Sequence, residues 1–123
     1  MAREIETKCI HLEEEENSIN HYGAISYPIY QSATYAHPGV GQSTGYDYSR
    51  LQNPTREHLE KTVASLENGI DALAFSSGMA AITLMMELFK PGDHLIVDAD
   101  LYGGSIRLFN HVSEKNGIEF SSV

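Results

Sequence analysis

A single cysteine, Cys9, stands in the chain, and one thiol cannot close an internal disulfide. No positively charged leader running into an apolar stretch and a small-residue cleavage site precedes it, so a reducing, cytoplasmic setting is expected. Positive charge is sparse as well: eight Lys and Arg stand against 17 Asp and Glu, a formal charge of -9. The basic residues are scattered singly, whereas a nucleic acid is held by a basic stripe that displaces counterions, so no nucleic-acid partner is expected. Long apolar runs are missing too. The longest, residues 80–86, is interrupted by Thr83 and falls far short of the ~20 residues of a membrane span, so no membrane partner is expected. For a metal there is only Cys9-x-His11, and His21, His37, His58, His94 and His111 are too dispersed to make helical ligand pairs, so no metal site is expected.

What the sequence does contain is enough apolar residue for one core. With 123 residues, 41% of them hydrophobic, the chain reads as one globular domain of modest size. A rhythm begins near Gln52. Asn53 followed by Pro54 and Thr55 is a capping residue ahead of a proline at the first helical position, which predicts a helix start. Leu59, Val63 and Leu66 then form one apolar stripe, and Asn68-Gly69 ends the helix in a left-handed turn. Residues 70–75 are a short apolar run bounded by turn formers, the pattern of a strand buried on both faces. Ser76-Ser77-Gly78 breaks it, and residues 79–89 predict a helix apolar nearly all round and hence deeply buried. Pro91-Gly92-Asp93 closes that unit. A second strand is expected over 94–98, a loop over 99–104, a helix over 105–116 with Ile106, Phe109 and Val112 inward, and a third strand from Ile118. Strands alternating with helices give βαβαβ, an α/β architecture with a parallel sheet and right-handed crossovers. The third strand opens only at the last residues, an uncovered sheet edge, so more chain is expected to follow in the natural protein.

The first 52 residues show neither helical nor strand periodicity, and a segment of this length without structure is unusual unless it has a task. Six of the seven tyrosines, Tyr22, Tyr27, Tyr30, Tyr35, Tyr46 and Tyr48, lie there with Pro28, Pro38 and several glycines. Such a segment suits an extended arm that contacts a neighbouring subunit; a frayed tail is the other reading. Two domains follow from this, an arm over 1–52 and the α/β part over 53–123. The acidic run at Glu13, Glu14, Glu15 and Glu16 reads as a solvated face.

Three places carry possible chemistry. The turn Ser76-Ser77-Gly78-Met79 between a strand and a helix offers free backbone N–H groups and the positive end of a helix dipole, with Gly78 allowing close approach and a serine hydroxyl adding a donor. That suits a phosphate monoester. It also suits a plain N-cap, and it matches neither the nucleotide-triphosphate loop nor the dinucleotide fingerprint. The loop Leu101-Tyr102-Gly103-Gly104 follows the second strand, where loops of open α/β sheets line the ligand crevice. Tyr102 can stack on a planar ring there, or cap the end of the sheet. In the arm, Tyr46-Asp47-Tyr48-Ser49-Arg50 pairs a forked, permanent cation with phenols, for phosphate oxygens or for a surface ion pair.

Together these pieces resemble one family, the pyridoxal-phosphate enzymes of cysteine and methionine metabolism, the trans-sulfuration group. The resemblance spans residues 22–105. It is carried by Gly23-Ala24-Ile25-Ser26-Tyr27-Pro28-Ile29-Tyr30-Gln31-Ser32, by Tyr48-Ser49-Arg50 with Asn53-Pro54-Thr55, by Ser76-Ser77-Gly78-Met79-Ala80-Ala81, and by Leu101-Tyr102-Gly103-Gly104. It implies the large domain of a fold-type-I, aspartate-aminotransferase-like enzyme, of which this chain is the first part. It implies that Ser77, Gly78 and Met79 bind the phosphate of pyridoxal 5'-phosphate, and that Tyr102, the one candidate catalytic residue, stacks on the pyridine ring. Tyr48 and Arg50 are similar to arm residues that reach the cofactor phosphate of the adjacent subunit, which implies a homodimer or a homotetramer.

The substrates the resemblance implies are sulfur amino acids or activated homoserines, cleaved or replaced at a carbon–sulfur or carbon–oxygen bond. Gly104, where methionine γ-lyases usually carry cysteine, tilts the reading toward cystathionine lyases or synthases. The lysine that anchors the cofactor in this family lies beyond residue 123, and Lys8, Lys61, Lys90 and Lys115 do not sit in its Ser/Thr-rich context. The isolated chain is therefore expected to be inactive. The rival reading is a non-catalytic phosphate-binding or assembly fragment of the same fold.

Overall fold

The structure is a computed structural model and describes residues 4–11, 24 and 26–123. The acidic run at 13–16, His21, Tyr22, Gly23 and Ile25 lie outside the described residues. The chain falls into two compact units, Met1–Ala74 and 75–123.

The first unit is built on a helix whose ends are written in the sequence. Asn53 takes an extended backbone and its side-chain oxygen accepts from the Thr55 N–H, with Pro54 at the first helical position, so the helix runs Pro54–Leu66. At its other end Asn68 adopts φ 53°, and the Gly69 N–H reaches the Ala64 carbonyl at 2.8 Å. The left-handed residue is thus Asn68, one of the few side chains that tolerates it, with Gly69 closing the Schellman bond behind it. Preceding this helix (α2) in the chain is α1, Ile5–Ile10, with Glu6 in its first turn and Lys8 in its last, signs that suit the helix dipole. It packs on α2, where Lys8 Nζ lies 3.5 Å from the Ser65 carbonyl. The sequence reading left these residues extended, because six residues are too few to show a period.

Residues 26–52 are folded onto α2. The Tyr30 N–H donates to Thr55 Oγ1 at 2.8 Å, and the Tyr27 ring stacks on His58 with centroids 3.9 Å apart and planes 9° apart. Tyr46 donates its hydroxyl to Glu57 and packs against Tyr35. Four of the arm's tyrosines therefore serve their own unit. Burial on α2 falls on Pro54 and Ala64, while Leu59 and Val63 of the expected stripe are exposed. Residues 70–75 form no strand: the Ala72 and Ala74 N–H groups go to the carboxylates of Asp71 and Glu60, and Ile70 and Leu73 are exposed. An apolar run can specify a strand only where a neighbour completes the ladder, and none among the described residues pairs with this one.

The second unit is a βαβ crossover. After α3 (Gly78–Met86) come β1 (His94–Val97), α4 (Gly103–Leu108) and β2 (Glu119–Ser122). The two strands run parallel in the register His94 to Glu119 through Val97 to Ser122, as the alternation requires. The core joins Met86, Phe109 and Ile118, with Ile82, Leu95, Val97, Leu101 and Phe120 around them; Phe109 and Phe120 stack at 4.7 Å. The expected helix over 105–116 is interrupted. After Leu108 a π-turn spans Phe109–Ser113 and a 3-10 turn Glu114–Asn116, ending at Gly117 with φ 82°. The buried face is Ser105, Phe109 and Ser113, so Phe109 is inward as expected, while Ile106 and Val112 are exposed. On α3 burial is confined to Met86, with Leu84 and Met85 exposed, as is Leu88 beyond its end, so the expected deep burial is not met within this unit.

Candidate functional site

In the second unit the first turn of α3 presents the donors. Ser77 is its N-cap, extended at φ -159°, and its hydroxyl oxygen accepts from the Ala80 N–H at 3.1 Å. The first intrahelical bond runs from the Ala81 N–H to the Ser77 carbonyl. The N–H groups of Gly78 and Met79 precede both bonds and point out of the positive end of the helix. A Cβ built on Gly78 would meet nothing within 4 Å, so the approach to the backbone at that position is open. A hydroxyl has a proton to give while its lone pairs accept; the capping bond of Ser77 therefore leaves its O–H for an anion, and the cap and the phosphate readings are compatible.

Tyr102 is the residue ahead of α4 and is 72% exposed. It is outside the core cluster, which argues against a plug at the sheet end. Gly104 explains where it sits. A Cβ there would lie 2.5 Å from Tyr102 Cε1 and 3.0 Å from Met79 Sδ, so the ring and the thioether converge on the space that glycine leaves. Met79 Sδ also lies 3.9 Å from the Ser105 hydroxyl. The first turns of α3 and α4 thus meet at Gly104, where Met79 and Tyr102 come together, with Ser77 and Gly78 just ahead of Met79 in the same turn.

In the first unit, Tyr48 forms an isolated antiparallel bridge with Thr34. The Arg50 guanidinium carbon stands 5.1 Å from the centroid of the Tyr48 ring, a cation–π contact. Among the described residues Arg50 has no carboxylate partner in an ion pair, which leaves its N–H edges for an oxyanion. Tyr48 and Arg50 are thus brought together with each other.

Sequence reading missed the polar cluster behind them. Asn53 Nδ2 lies 3.1 Å from the Tyr30 carbonyl, 3.2 Å from Tyr35 Oη and 3.0 Å from Ser49 Oγ. Arg56 Nη1 donates to the Ser49 carbonyl at 3.0 Å and Nη2 to the Leu51 carbonyl at 2.5 Å. Lys61 pairs with Glu57 at 2.6 Å, and this pairing, ahead of the Tyr46 hydrogen bond, holds the Glu57 carboxyl below its ordinary range. Burial first, and the Glu57 carboxylate second, push the Tyr46 phenol up; burial, with Tyr30 and Glu57 behind it, raises Tyr27. Burial and the nearby Lys61 lower His58. The four-residue spacing of Glu57 and Lys61 was visible; the long-range partners were not. An open groove beside the cluster, lined by Thr44, Arg56, Glu57, Lys61 and Leu73 among others, includes none of the sequence-predicted site residues.

Against known proteins, the family model described as Cys/Met metabolism PLP-dependent enzyme matches residues 6–123. The chain is 50% identical over 120 residues to a cystathionine gamma-synthase/O-acetylhomoserine (thiol)-lyase of Bacillus subtilis, covering 98% of this chain and 32% of that protein. It is 54% identical over 101 residues to a cystathionine gamma-lyase of the same organism, covering 82% and 27%. The crystal structure of metB from Corynebacterium glutamicum superposes with a TM-score of 0.89 at 40% identity, covering 99% of this chain and 32% of that one. The chain spans between about a quarter and a third of the length of these relatives.

Proposed function

The chain belongs to the pyridoxal-phosphate-dependent enzymes of cysteine and methionine metabolism, and from that premise we propose that it is the N-terminal portion of a trans-sulfuration enzyme acting on cystathionine or an activated homoserine. The observation that carries the reading is the convergence of Met79 and Tyr102 on Gly104, which sets an exposed aromatic ring beside the open N-terminus of α3. The donor set fits the cofactor. The Gly78 and Met79 N–H groups and the Ser77 hydroxyl would hold its phosphate, and the Tyr102 ring would cover one face of its pyridine. Tyr48 and Arg50 would supply a phenol and a permanent cation to the phosphate in a neighbouring subunit, which makes the working form a homodimer or a homotetramer.

When bound, the cofactor supplies the electron sink that allows a β- or γ-substituent of an amino acid to leave. The chain's own residues bind and orient it. Its lysines have other positions: Lys61 is engaged with Glu57, Lys8 lies against α2, and Lys90 and Lys115 follow α3 and sit in the 3-10 turn. Within the second unit neither Lys90 nor Lys115 belongs to the cluster at Gly104, and this stretch by itself is expected neither to anchor the cofactor covalently nor to catalyse turnover. Relatives named as synthases and as lyases match with similar identity, so elimination and replacement remain equal within the proposal.

The test compares this chain with a protein extended to the length of the relatives. Each is mixed with pyridoxal phosphate, treated with borohydride and weighed intact. Cofactor mass retained in the extended protein and absent from the 123-residue chain supports the reading. Retention in neither removes it, and the turn at Ser77 would then need another anion.

A further inference from the structure

The segment that carries Tyr48 and Arg50 is held by its backbone, and two side chains hold it. The Arg56 guanidinium spans three successive carbonyls: Nη1 reaches Ser49 at 3.0 Å and Arg50 at 3.5 Å, and Nη2 reaches Leu51 at 2.5 Å. Its Nε is 3.6 Å from Glu60 Oε1, which fixes the rotation of the fork. Asn53 meets the same segment from its other side, with Nδ2 at 3.0 Å from Ser49 Oγ, while Ser49 donates that hydroxyl to the Ser32 carbonyl and its N–H to the Ala33 carbonyl. The Leu51 and Gln52 N–H groups return to the Tyr48 carbonyl at 2.9 Å. The turn at 48–52 therefore has its carbonyls and the Ser49 hydroxyl tied to the first turn of α2, while the Tyr48 and Arg50 side chains, stacked on each other, stay exposed.

We propose that Arg56 and Asn53 are positioning residues for the cofactor phosphate: by clamping the turn at 48–52 to the start of α2 they set the place and direction from which Tyr48 and Arg50 meet that phosphate. The inference rests on the proposed role of Tyr48 and Arg50. Its physical content is preorganisation. A free arm must be ordered each time the phosphate is engaged, and a clamped one has lost that freedom already. A planar fork is needed, because a lysine ammonium cannot reach three carbonyls arranged along a turn.

The experiment is done on the extended, cofactor-binding protein and reads affinity, not turnover. Dissociation constants are measured for pyridoxal phosphate and for pyridoxal, which lacks the phosphate, in wild type, Arg56→Lys, Asn53→Ser, Arg50→Ala and Arg56→Lys/Arg50→Ala. Serine keeps the N-cap of α2 and loses the amide donors, so Asn53→Ser answers the same question if Arg56→Lys does not fold. Arg56→Lys and Asn53→Ser are each expected to weaken pyridoxal phosphate by about tenfold, the scale of a hydrogen bond to a charged group, with pyridoxal unchanged. In the Arg50→Ala background the effect of Arg56→Lys should largely vanish. If Arg50→Ala lowers the preference for the phosphate form while Arg56→Lys and Asn53→Ser leave it intact, or weaken both ligands equally, the clamp is wrong and the phosphate role of the arm stands. If Arg50→Ala itself leaves the preference intact, the arm reading fails and takes the clamp with it.

Discussion

Adding one methyl group at Gly104 separates the site from the fold. The Cβ of Gly104→Ala would stand 2.5 Å from Tyr102 Cε1 and 3.0 Å from Met79 Sδ, against the roughly 3.5–4.0 Å of ordinary carbon contacts. The ring must therefore retreat by about 1 Å or more. It can, because Tyr102 is exposed and the unbranched side chain of Met79 is flexible. The backbone at Gly104 has no positive φ, and the position is in the first turn of α4, where alanine in place of glycine favours the helix by up to about 1 kcal/mol. That gain offsets the local repacking, so the melting temperature of the extended protein should move by no more than a few degrees, about 1 kcal/mol at most. Ring stacking is worth about 0.5–1.5 kcal/mol, and a displaced Tyr102 should forfeit much of it, weakening pyridoxal and pyridoxal phosphate alike by several-fold. Thermal melting followed by far-ultraviolet circular dichroism, together with cofactor titration, reads both quantities. In a Tyr102→Ala background the added methyl should have no further effect on affinity. A large fall in melting temperature with unchanged affinity, or a loss that persists without the Tyr102 ring, would refute the reasoning.

Two further outcomes concern the fold. The folded-state pKa values of His58 and Glu57 both lie below their ordinary 6.5 and 4.5, so each contributes stability that is present above its ordinary pKa and lost as pH falls through the folded value; melting temperature against pH should drop in two stages, beginning below pH 6.5 and again below 4.5, and His58→Gln should remove the first stage alone. Phe109 is buried against Phe120, and Phe109→Ala should cost about 3–5 kcal/mol in denaturant unfolding, whereas Val112→Ala on the exposed side of the π-turn should stay within about 0.5 kcal/mol.

Local rules carried well wherever one residue type has one job. Asn53 with Pro54, and Ser77, each mark a helix start where the sequence placed it, because capping is a contact between near neighbours. The parallel pairing of 94–97 with 119–122 followed from spacing alone. What was illegible depends on partners distant in sequence. Whether Leu59, Leu84 or Ile70 is covered is decided by surfaces the local pattern does not contain, and all three are exposed here. The π-turn at Phe109 was hidden for a different reason: no residue type marks a switch from four- to five-residue hydrogen bonding within a helix. At the site, the motif residues were legible as types. The convergence on Gly104 and the grip of Arg56 on residues 49–51 were not, since both depend on contacts that no local pattern encodes.

In the proposed site the two groups of residues would divide the work of holding one dianion in physically different ways. The turn of α3 offers neutral dipoles, the Gly78 and Met79 N–H groups and the Ser77 hydroxyl, which give direction and little net charge. The arm offers Arg50, a full positive charge in a chain of formal charge -9. A cation on an untethered arm in such a chain would be drawn to the many carboxylates around it, and a phosphate would have to compete with them. Clamping the backbone at 49–51 while laying the guanidinium over Tyr48 restricts where the charge can go without neutralising it. On this argument the clamp serves selectivity as much as affinity: loosening it should raise the salt sensitivity of phosphate binding as well as the dissociation constant, because an Arg50 free to wander is screened and diverted more readily than one held in place.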